Sequence, residues 1–253
     1  MSRFEPGTFT PNPQRASVWA MARAQGAIES KLMLRHGEQQ LLSIVIPLAL
    51  LIGAARMESV TGQGLKEVFP MVLAVASTSS GFTGQAISLA FDRRYGALKR
   101  TGASGVPAWT IIAGKIAAVF SMVVLQVVVL GGVAFLLGLR VGLSGIVLAL
   151  FTLVLGVASF TALGLLLGGT LSSEMVLAVA NLIWFILMGV VGWAMYSQGL
   201  GNDGLLTLVP TVAMASALND AFNNVFPWQE LLVLIAWAGA ASFAAVRWFR
   251  FEG

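Results

Sequence analysis

Long apolar runs, several of them near the length of a lipid bilayer crossing, recur along this 253-residue chain. A membrane-spanning helix needs about 20 predominantly apolar residues. The chain is 57% apolar and only 10% charged, whereas soluble domains are typically about 25% charged. These features exclude a soluble globular protein and a disordered one. They also exclude a porin-like barrel, because barrel strands alternate apolar and polar residues.

Six segments have the length and composition of membrane-spanning helices. Their approximate bounds are 39–55, 69–91, 107–139, 143–171, 175–196 and 229–246. The first segment is slightly short, and the third and fourth are long enough to tilt or to project beyond the bilayer. The sequence therefore predicts an all-α integral membrane protein with six transmembrane helices. We expect residues 37–253 to form this transmembrane domain.

Basic residues are distributed unevenly between the predicted loops. If the N-terminus is cytoplasmic, eleven of the 15 Lys and Arg residues lie inside and three lie outside. Cytoplasmic loops are enriched in Lys and Arg, so both termini are predicted to be cytoplasmic. The chain is thus expected to be a multi-pass protein of the cytoplasmic (inner) membrane. The remaining basic residue, Lys115, lies within the third span, where it either snorkels to the inner surface or makes a specific contact.

Residues 1–36 are predicted to form a cytoplasmic tail followed by an amphipathic helix on the inner membrane surface. The helix is expected over residues 16–36, which contain no proline. Gln25 and Glu29 interrupt its apolar side, so its amphipathic pattern is imperfect. The helix either contacts a cytosolic partner or serves only as a membrane anchor. Its apolar side carries Val18, Met21, Ala22, Ile28, Leu32 and Met33.

The segment between the fifth and sixth spans is unusually apolar for an outer loop. It is too short to cross the membrane, and Pro210 interrupts its apolar run. Residues 213–226 then read as a short helix. The sequence predicts a re-entrant outer segment before the last span, with Pro210 at a candidate gate. The alternative is an ordinary structured loop that packs on the helix ends.

The second span is the most polar of the six. Hydroxyl side chains are tolerated in membranes because they can bond to their own helix backbone, but Gln85 requires a protein or cavity environment. These side chains either line a substrate path or pack between helices, and both interpretations remain open. The candidate path residues are Ser77, Ser80, Thr83 and Gln85.

No catalytic, metal-binding or cofactor-binding constellation is evident in the sequence. The chain has no cysteine and a single histidine, His36. Gly114–Lys115 lacks the other residues of a Walker A motif. No acidic residue lies at the centre of a span, which argues against a proton-driven antiporter. Two GxxxG pairs, Gly164 with Gly168 and Gly138 with Gly142, are interpreted as helix-packing sites.

A dense charge cluster follows the second span on its cytoplasmic side. It is interleaved with apolar side chains, so it is interpreted as a docking surface on a compact helix–turn–helix; the alternative is a topology signal only. The cluster comprises Asp92, Arg93, Arg94, Lys99 and Arg100, interleaved with Tyr95 and Leu98.

This region resembles a known family. The charged stretch, the run Gly96–Arg100, a short turn, Pro107 and Gly114–Lys115 are similar to the permease subunits of ABC-2 type exporters, most nearly the daunorubicin-resistance permease group. The similarity extends over nearly the whole chain through its length, its N-terminal helix, its six spans and the apolar segment around Pro210.

The resemblance implies a mechanism and a set of partners. Such a chain contains no ATPase and no cofactor of its own, and it forms a dimer with a second permease copy or a related permease. Two ABC ATP-binding subunits bind ATP and Mg. The loop from Asp92 to Arg100 forms a coupling helix that seats in the ATPase, and the segment at Pro210 is re-entrant.

We therefore expect the transmembrane subunit of an ATP-driven exporter of an amphipathic or lipid-like substrate. Its expected partners are the ATP-binding subunits, a second permease and the lipid bilayer, but not nucleic acid. Two alternatives belong to other classes. One is an ATP-independent channel or carrier, and the other is a non-transporting membrane assembly subunit.

Overall fold

The computed structural model of the chain describes residues 16–35, 37, 41–61, 64–201 and 204–248. These residues form helices and their connections, without a β-strand among them. The helices are α1 (Val18–Arg35), α2 (Ile46–Thr61), α3 (Leu65–Thr78), α4 (Gln85–Arg94), α5 (Ala97–Ala103), α6 (Ala108–Leu136), α7 (Leu143–Thr170), α8 (Ser173–Ser197), α9 (Pro210–Phe222) and α10 (Trp228–Trp248).

Three further segments have helical geometry of another pitch. A π-helix at Leu41–Val45 leads into α2, and a second π-helix at Ser79–Gly84 joins α3 to α4. A 3-10 helix at Gly204–Leu208 precedes α9. The predicted tail at residues 1–14 and the histidine His36 lie outside the described residues.

Four helices of the described chain, α6, α7, α8 and α10, are long and apolar enough to cross a membrane. Their bounds confirm the third to sixth predicted spans to within three residues at each end. The two other predicted spans have a different form. The first corresponds to the short apolar stretch Ser43–Met57, and the second lies within α3 and α4, which the π-helix interrupts.

The centre of the bundle is the α3 segment and the π-helix that follows it. Every residue from 68 to 83 is buried. Helix α7 approaches this segment through glycines: a Cβ at Gly164 would lie 2.5 Å from the Phe82 carbonyl oxygen, and one at Gly168 would lie 2.4 Å from the Ala86 carbonyl oxygen. This close backbone approach confirms the packing interpretation of that glycine pair.

The second glycine pair has a different role. Gly138 lies in the connection between α6 and α7 with φ of 106°, in the left-handed region that favours glycine. Gly142 is the N-cap residue of α7. The packing interpretation is wrong for this pair, because the chain turns between the two helices here.

Helix α1 packs lengthwise along the first half of α6. The Trp19 ring contacts the Trp109 ring edge-on, with 6.4 Å between centroids. Further along, the Ser121 hydroxyl donates to the Ser30 hydroxyl at 3.0 Å. The predicted helix is confirmed, and its contact with α6 is an addition that the sequence pattern did not indicate.

Candidate functional site

The charged connection after the second predicted span turns into α6 between Ser104 and Pro107, which is the expected helix–turn–helix. A further turn at Tyr95 and Gly96, which was not expected, divides the charged stretch between α4 and α5. Helix α4 ends at Arg94, and Gly96 takes φ of 65° and ψ of 20°, a left-handed conformation that only glycine adopts at little cost. The turn directs the chain into α5, a seven-residue helix in which no residue is buried. The connection therefore presents an exposed helix at one end of the bundle, which we call the inner end in accordance with the predicted orientation.

Lys115 of α6 is held inside the protein by acidic partners. Its side chain is only 2% exposed, and its Nζ lies 2.5 Å from Asp92 Oδ2 of α4. Nζ also donates to the Ser88 hydroxyl at 3.1 Å and lies 3.6 Å from Glu29 Oε2 of α1. Of the two interpretations of Lys115, the structure therefore supports the specific contact. The contact joins α1, α4 and α6.

The two polar residues that interrupt the apolar side of α1, Gln25 and Glu29, lie at this contact. The Gln25 amide donates to Glu29 Oε1 at 3.0 Å, while the other oxygen of Glu29 faces Lys115. The irregular amphipathic pattern was thus a signal for a charged partner elsewhere in the fold. We refer to Glu29, Asp92 and Lys115 as the ionic cluster.

Arg93 points in another direction from its neighbour Asp92. Its guanidinium donates to the carbonyl oxygens of Gly168 and Leu171, at 2.8 and 2.9 Å. These carbonyls lie at the C-terminal end of α7, where a cation interacts favourably with the helix dipole. Because Arg93 is 5% exposed, its side chain is a contact between α4 and α7 and does not form part of the exposed surface.

Arg94 makes the third charged contact of this connection. Its guanidinium donates to the Ser173 hydroxyl at 3.1 Å and forms an ion pair with Glu174, in the first turn of α8. The Arg94 side chain is 47% exposed, and its guanidinium lies 5.9 Å from the centre of the Tyr95 ring. Arg94 thus links α8 to the connection while part of its side chain faces solvent.

The remaining predicted docking residues lie in α5 or just before it, and they form two groups. Tyr95 is 64% exposed, and Arg100 donates to its carbonyl oxygen at 2.8 Å. Leu98 and Lys99 line a groove between α5 and the membrane helices. Arg100 is two positions after Leu98, which places it about 200° around the helix from Leu98 and therefore away from that groove.

The four candidate path residues are all buried, each at most 2% exposed. Ser80 has a clear role, because its hydroxyl accepts a 2.5 Å hydrogen bond from the Gln126 amide of α6. The Gln85 amide contacts Met33 Sδ of α1 at 3.9 Å. Ser77 lies in α3, and Thr83 lies in the π-helix that follows it.

Gln126 was missed by the sequence analysis. Besides Ser80, its amide donates to the carbonyl oxygens of Ser43, at 3.1 Å, and Ala76, at 3.0 Å. These three acceptors lie in or next to the two π-helices. The available signal was the amide itself, since an amide in so apolar a helix requires a partner.

The π-helix at Ser79–Gly84 explains why side chains bond to backbone here. In a π-helix the backbone hydrogen bonds join residues five apart instead of four, and such segments frequently occur at functional sites. Besides the bond from Gln126 to the Ala76 carbonyl, the Trp184 indole of α8 donates to the Val75 carbonyl oxygen at 3.3 Å. The local change of pitch is therefore stabilised from α6 and from α8.

Three buried polar atoms near this π-helix have no hydrogen-bond partner in the described part of the chain. They are Thr83 Oγ1, Gln85 Oε1 and Gln126 Oε1. Buried polar atoms are nearly always paired in proteins. These atoms can therefore accept or exchange bonds with a polar group that enters the bundle.

Helix α9, in the segment between the fifth and sixth predicted spans, begins at Pro210. Val209 before it is extended, with φ of −76° and ψ of 124°, as expected for a residue that precedes proline. The short helix predicted at residues 213–226 is confirmed, but it starts three residues earlier and ends four residues earlier than predicted. Nearly all of α9 is buried.

Helix α9 runs antiparallel to the first half of α7. A Cβ at Gly145 would lie 3.0 Å from the Ala221 carbonyl oxygen, and one at Gly156 would lie 2.8 Å from Met214 Sδ. The end of α9 is therefore next to the start of α7, and its beginning lies deeper in the bundle. The Phe222 ring also stacks on Phe69, with 5.7 Å between centroids.

Two hydrogen bonds locate the beginning of α9 along its neighbours. The Trp237 indole of α10 donates to the Leu208 carbonyl oxygen at 2.9 Å, and the Thr211 hydroxyl donates to the Leu187 carbonyl oxygen of α8 at 3.4 Å. At 1.5 Å per residue, Trp237 and Leu187 lie roughly 14–15 Å from the outer ends of their helices. That depth is about half of a bilayer core.

The described residues contain no group of three His, Asp or Glu side chains that could hold a metal ion. A search of curated proteins found no match to the chain. A family model described as ABC-2 type transporter matches residues 23–226. The match includes most of α1, the charged connection with its contacts, and all of α9, but not the start of α1 with Trp19 and not α10. The chain belongs to the ABC-2 type transporter membrane family and is a transmembrane, permease-type component of an ABC transporter.

Proposed function

We propose that this chain is the transmembrane subunit of an ATP-driven exporter that moves an amphipathic or lipid-like substrate across the cytoplasmic membrane. The observation that carries the proposal is the attachment of the inner connection. Arg93, Arg94 and the Asp92–Lys115 pair fix it to α7, α8 and α6, while the adjoining α5 is exposed. A force applied to α5 would therefore act on three membrane helices together.

The surface proposed for docking of the ATP-binding subunit is narrower than the charged sequence suggested. It consists of Arg94, Tyr95 and Arg100, because Asp92 and Arg93 face the bundle. An acidic rim on the partner would complement these two cations. In this proposal, two such partners bind ATP and Mg, and a second permease copy or a related permease completes the transporter.

We also propose the six-span topology with both termini in the cytoplasm. In this topology, α2 with its π-helix and the α3–α4 segment are the first two spans. Helix α9 is then the returning arm of a re-entrant outer segment, and its start at mid-depth beside Trp237 and Leu187 supports this. Pro210 lies at the deepest point of the segment and forms part of an outer gate.

The second span supplies the proposed substrate path. Thr83 and Gln85 carry unpaired buried oxygens, which is the property that polar groups along a path would have in a closed state. Ser77 of α3 and Ser80 of the π-helix extend the proposed path toward the outer end of the second span. When the coupling helix moves, α4 would move with it. The second span would then separate from α6 and α7 and open the path.

Transport in inverted membrane vesicles tests the function directly. Vesicles are made from cells that express the chain together with an ATP-binding partner, and a fluorescent amphipathic dye is added outside. An ATP-driven exporter accumulates the dye only when ATP is supplied. Equal accumulation with and without ATP would instead support a channel or carrier, and no accumulation in either condition would support an assembly subunit.

The docking surface is tested with charge-reversal variants in the same vesicles. Tyr95→Ala combined with Arg100→Glu should abolish dye-stimulated ATPase activity while the permease still inserts. Lys31→Glu on the exposed side of α1 is the matched control and should leave it unchanged. Unaltered dye-stimulated ATPase activity in the Tyr95/Arg100 double variant would show that this surface has no part in coupling.

Single cysteines introduced into this cysteine-free chain test the topology. Ser104→Cys should be labelled by an impermeant thiol reagent only in inverted vesicles. Val225→Cys should be labelled only in intact cells. The opposite pattern at either position would reverse the proposed orientation.

A further inference from the structure

The π-helix at Ser79–Gly84 interrupts the second span near the middle of the membrane. It lies beside Gln126 of α6, whose amide donates to the Ser80 hydroxyl. Helix α6 ends at Leu136, so at 1.5 Å per residue Gln126 lies roughly 15 Å from the outer end of that helix. This distance is about half of a bilayer core. The π-helix therefore divides the second span into an outer part, α3, and an inner part, α4.

The Gln126 amide has more acceptors than hydrogens. Its NH2 group carries two hydrogens, whereas the carbonyl oxygens of Ser43 and Ala76 and the hydroxyl of Ser80 lie 3.1, 3.0 and 2.5 Å from its nitrogen. One hydrogen is therefore shared between two acceptors. Ser43 belongs to the π-helix that leads into α2, so a single side chain is bonded at both π-helices. Because Gln126 is 1% exposed, bulk solvent cannot replace its bonds.

The π-helix leaves unpaired a hydroxyl that an α-helix pairs. Other threonines in α3 and α7 donate to the carbonyl oxygen four residues earlier, at 2.7–3.0 Å. Thr83 Oγ1, inside the π-helix, has no hydrogen-bond partner among the described residues. The change of pitch therefore loosens the local bonding of the second span. The paired threonines are Thr78, Thr152, Thr161 and Thr170.

The two parts of the second span are held in different ways. The α3 part is packed, since every residue from 68 to 78 is buried. The α4 part has ten residues, and at its inner end Asp92 meets Lys115 of α6. Lys115 and Gln126 are 11 positions apart on α6, or about three turns, so they lie on one face of that helix. This face of α6 therefore holds α4 at its inner end and the π-helix at its outer end.

We infer that the π-helix at Ser79–Gly84 is a hinge between α3 and α4, and that Gln126 is the positioning residue that holds this hinge closed. Helices bend where the i→i−4 hydrogen-bond ladder is interrupted, and π-helices are one such place. Release of the Gln126 amide from Ala76 and Ser80 would let α4 pivot, and α5 would move with it. The use of the hinge in transport rests on the proposed function, in which the partner acts on α5.

Pulsed electron paramagnetic resonance of the purified full chain in phosphatidylcholine nanodiscs tests the hinge. Spin labels are attached to Ser104→Cys, at the end of α5, and to Val246→Cys, near the end of α10, since both positions are exposed. We expect one dominant distance in the labelled protein. Gln126→Met keeps the length of the side chain but removes its amide. It should raise the population of a second distance about tenfold, which corresponds to the loss of roughly 1.4 kcal/mol of net hydrogen bonding.

The matched control removes an amide from another membrane helix. Asn181 of α8 donates to the Leu177 carbonyl oxygen of its own helix at 3.0 Å. Asn181→Met should therefore retain the distance distribution of the labelled protein. A difference between the two methionine variants assigns the effect to the bonds that Gln126 makes, because both variants exchange an amide for an apolar side chain.

A single deletion distinguishes a hinge from ordinary packing. A π-helix bond spans one residue more than an α-helix bond, so deletion of Ser79 should give a continuous α-helix and leave α4 in its place. In this deletion background, Gln126→Met should no longer produce the second distance, because the hinge is gone. Deletion of Val75 from the regular helix α3 is the control. It turns the rest of the span by about 100° and should prevent folding.

Three results would overturn the inference. One is the same distance distribution in Gln126→Met and Asn181→Met. Another is two equally populated distances in the labelled protein before Gln126 is changed. The third is persistence of the second distance when Gln126→Met is combined with deletion of Ser79. If the deletion variant does not fold, the comparison of the two methionine variants remains decisive. The assay contains no partner, ATP or dye, so its failure is distinguishable from failure of the proposed transport function.

Discussion

The two ends of the bundle each carry a short helix, and the two helices are held by different forces. At the outer end, α9 is almost entirely buried and packs against α3, α7, α8 and α10. At the inner end, no residue of α5 is buried. Its position is fixed indirectly, through the charged side chains that precede it in the chain and reach α6, α7 and α8.

This difference separates a packed element from an element available for docking. Helix α9 contributes apolar area and close contacts, so its place depends on shape. Helix α5 leaves its own surface open and depends on ionic and hydrogen-bonded contacts made by its neighbours. The following predictions test whether the position of α9 depends on shape and the position of α5 on charge. They are given in order of decreasing expected effect.

The largest effect is expected from removal of the cation in the ionic cluster. Lys115→Met leaves Asp92 and Glu29 without their counter-ion. Loss of one partner from a buried ion pair costs about 3–5 kcal/mol. Because Asp92 is 31% exposed, we expect about 2–3 kcal/mol of lost stability, measured by thermal unfolding in detergent. Lys66→Met, at an exposed lysine, should change stability little.

A compensated variant shows whether charge is the cause. Lys115→Met combined with Asp92→Asn and Glu29→Gln removes both uncompensated carboxylates. We expect the combination to recover at least half of the lost stability, since replacing a whole buried ion group is often near neutral. A triple variant no more stable than Lys115→Met would show that α1, α4 and α6 are held by packing at the inner end as well.

The next effect compares two adjacent arginines. Arg93→Gln removes two charge-assisted hydrogen bonds to the end of α7, and we expect a loss of about 2 kcal/mol. Arg94→Gln is the matched control. Its pair with Glu174 is exposed, so stability should change little while coupling to the partner weakens. If thermal unfolding shows equal losses for both variants, the assignment of one arginine to the bundle and the other to the surface is wrong.

These neighbouring arginines illustrate what the sequence could and could not predict. The long apolar runs predicted α6, α7, α8 and α10, because length and composition alone determine whether a helix can cross a membrane. The charge cluster predicted an inner helix–turn–helix. Its residues, however, were treated as one surface, because the direction of each side chain depends on partners far away in sequence, such as Gly168 for Arg93.

The buried polar region was predictable only in part. The hydroxyls and Gln85 marked the second span as unusual, but the π-helix within it has no sequence signature of its own. It depends on donors from other helices, namely Gln126 and Trp184. In the same way, Glu29 appeared as a flaw in an amphipathic pattern until its contact with Lys115 was visible.

At the outer end, a change of shape without a change of charge should have the next largest effect. A Cβ at Gly145 would lie 3.0 Å from the Ala221 carbonyl oxygen of α9, so Gly145→Val forces the two helices apart. Overpacking of this kind costs roughly 1–3 kcal/mol, and we expect about 1–2 kcal/mol in thermal unfolding. Gly189→Val on the open side of α8 is the control. Equal stability of the two variants would contradict close packing of α9.

The smallest effect on stability, but an informative one on transport, is expected from Pro210→Ala. Proline restricts the unfolded chain, so its loss at a compatible position costs roughly 0.4–1 kcal/mol, and expression should remain near normal. The alanine regains a backbone N–H and frees Val209 to become helical. This would extend α9 toward the 3-10 helix and displace the Leu208 carbonyl from the Trp237 indole.

If the start of α9 is part of the outer gate, Pro210→Ala should lower dye export by more than its small loss in thermal stability explains. Trp237→Phe, which removes only the indole donor, should reproduce part of that loss. Normal export by both variants would mean that α9 is held in place by packing alone and has no gating role.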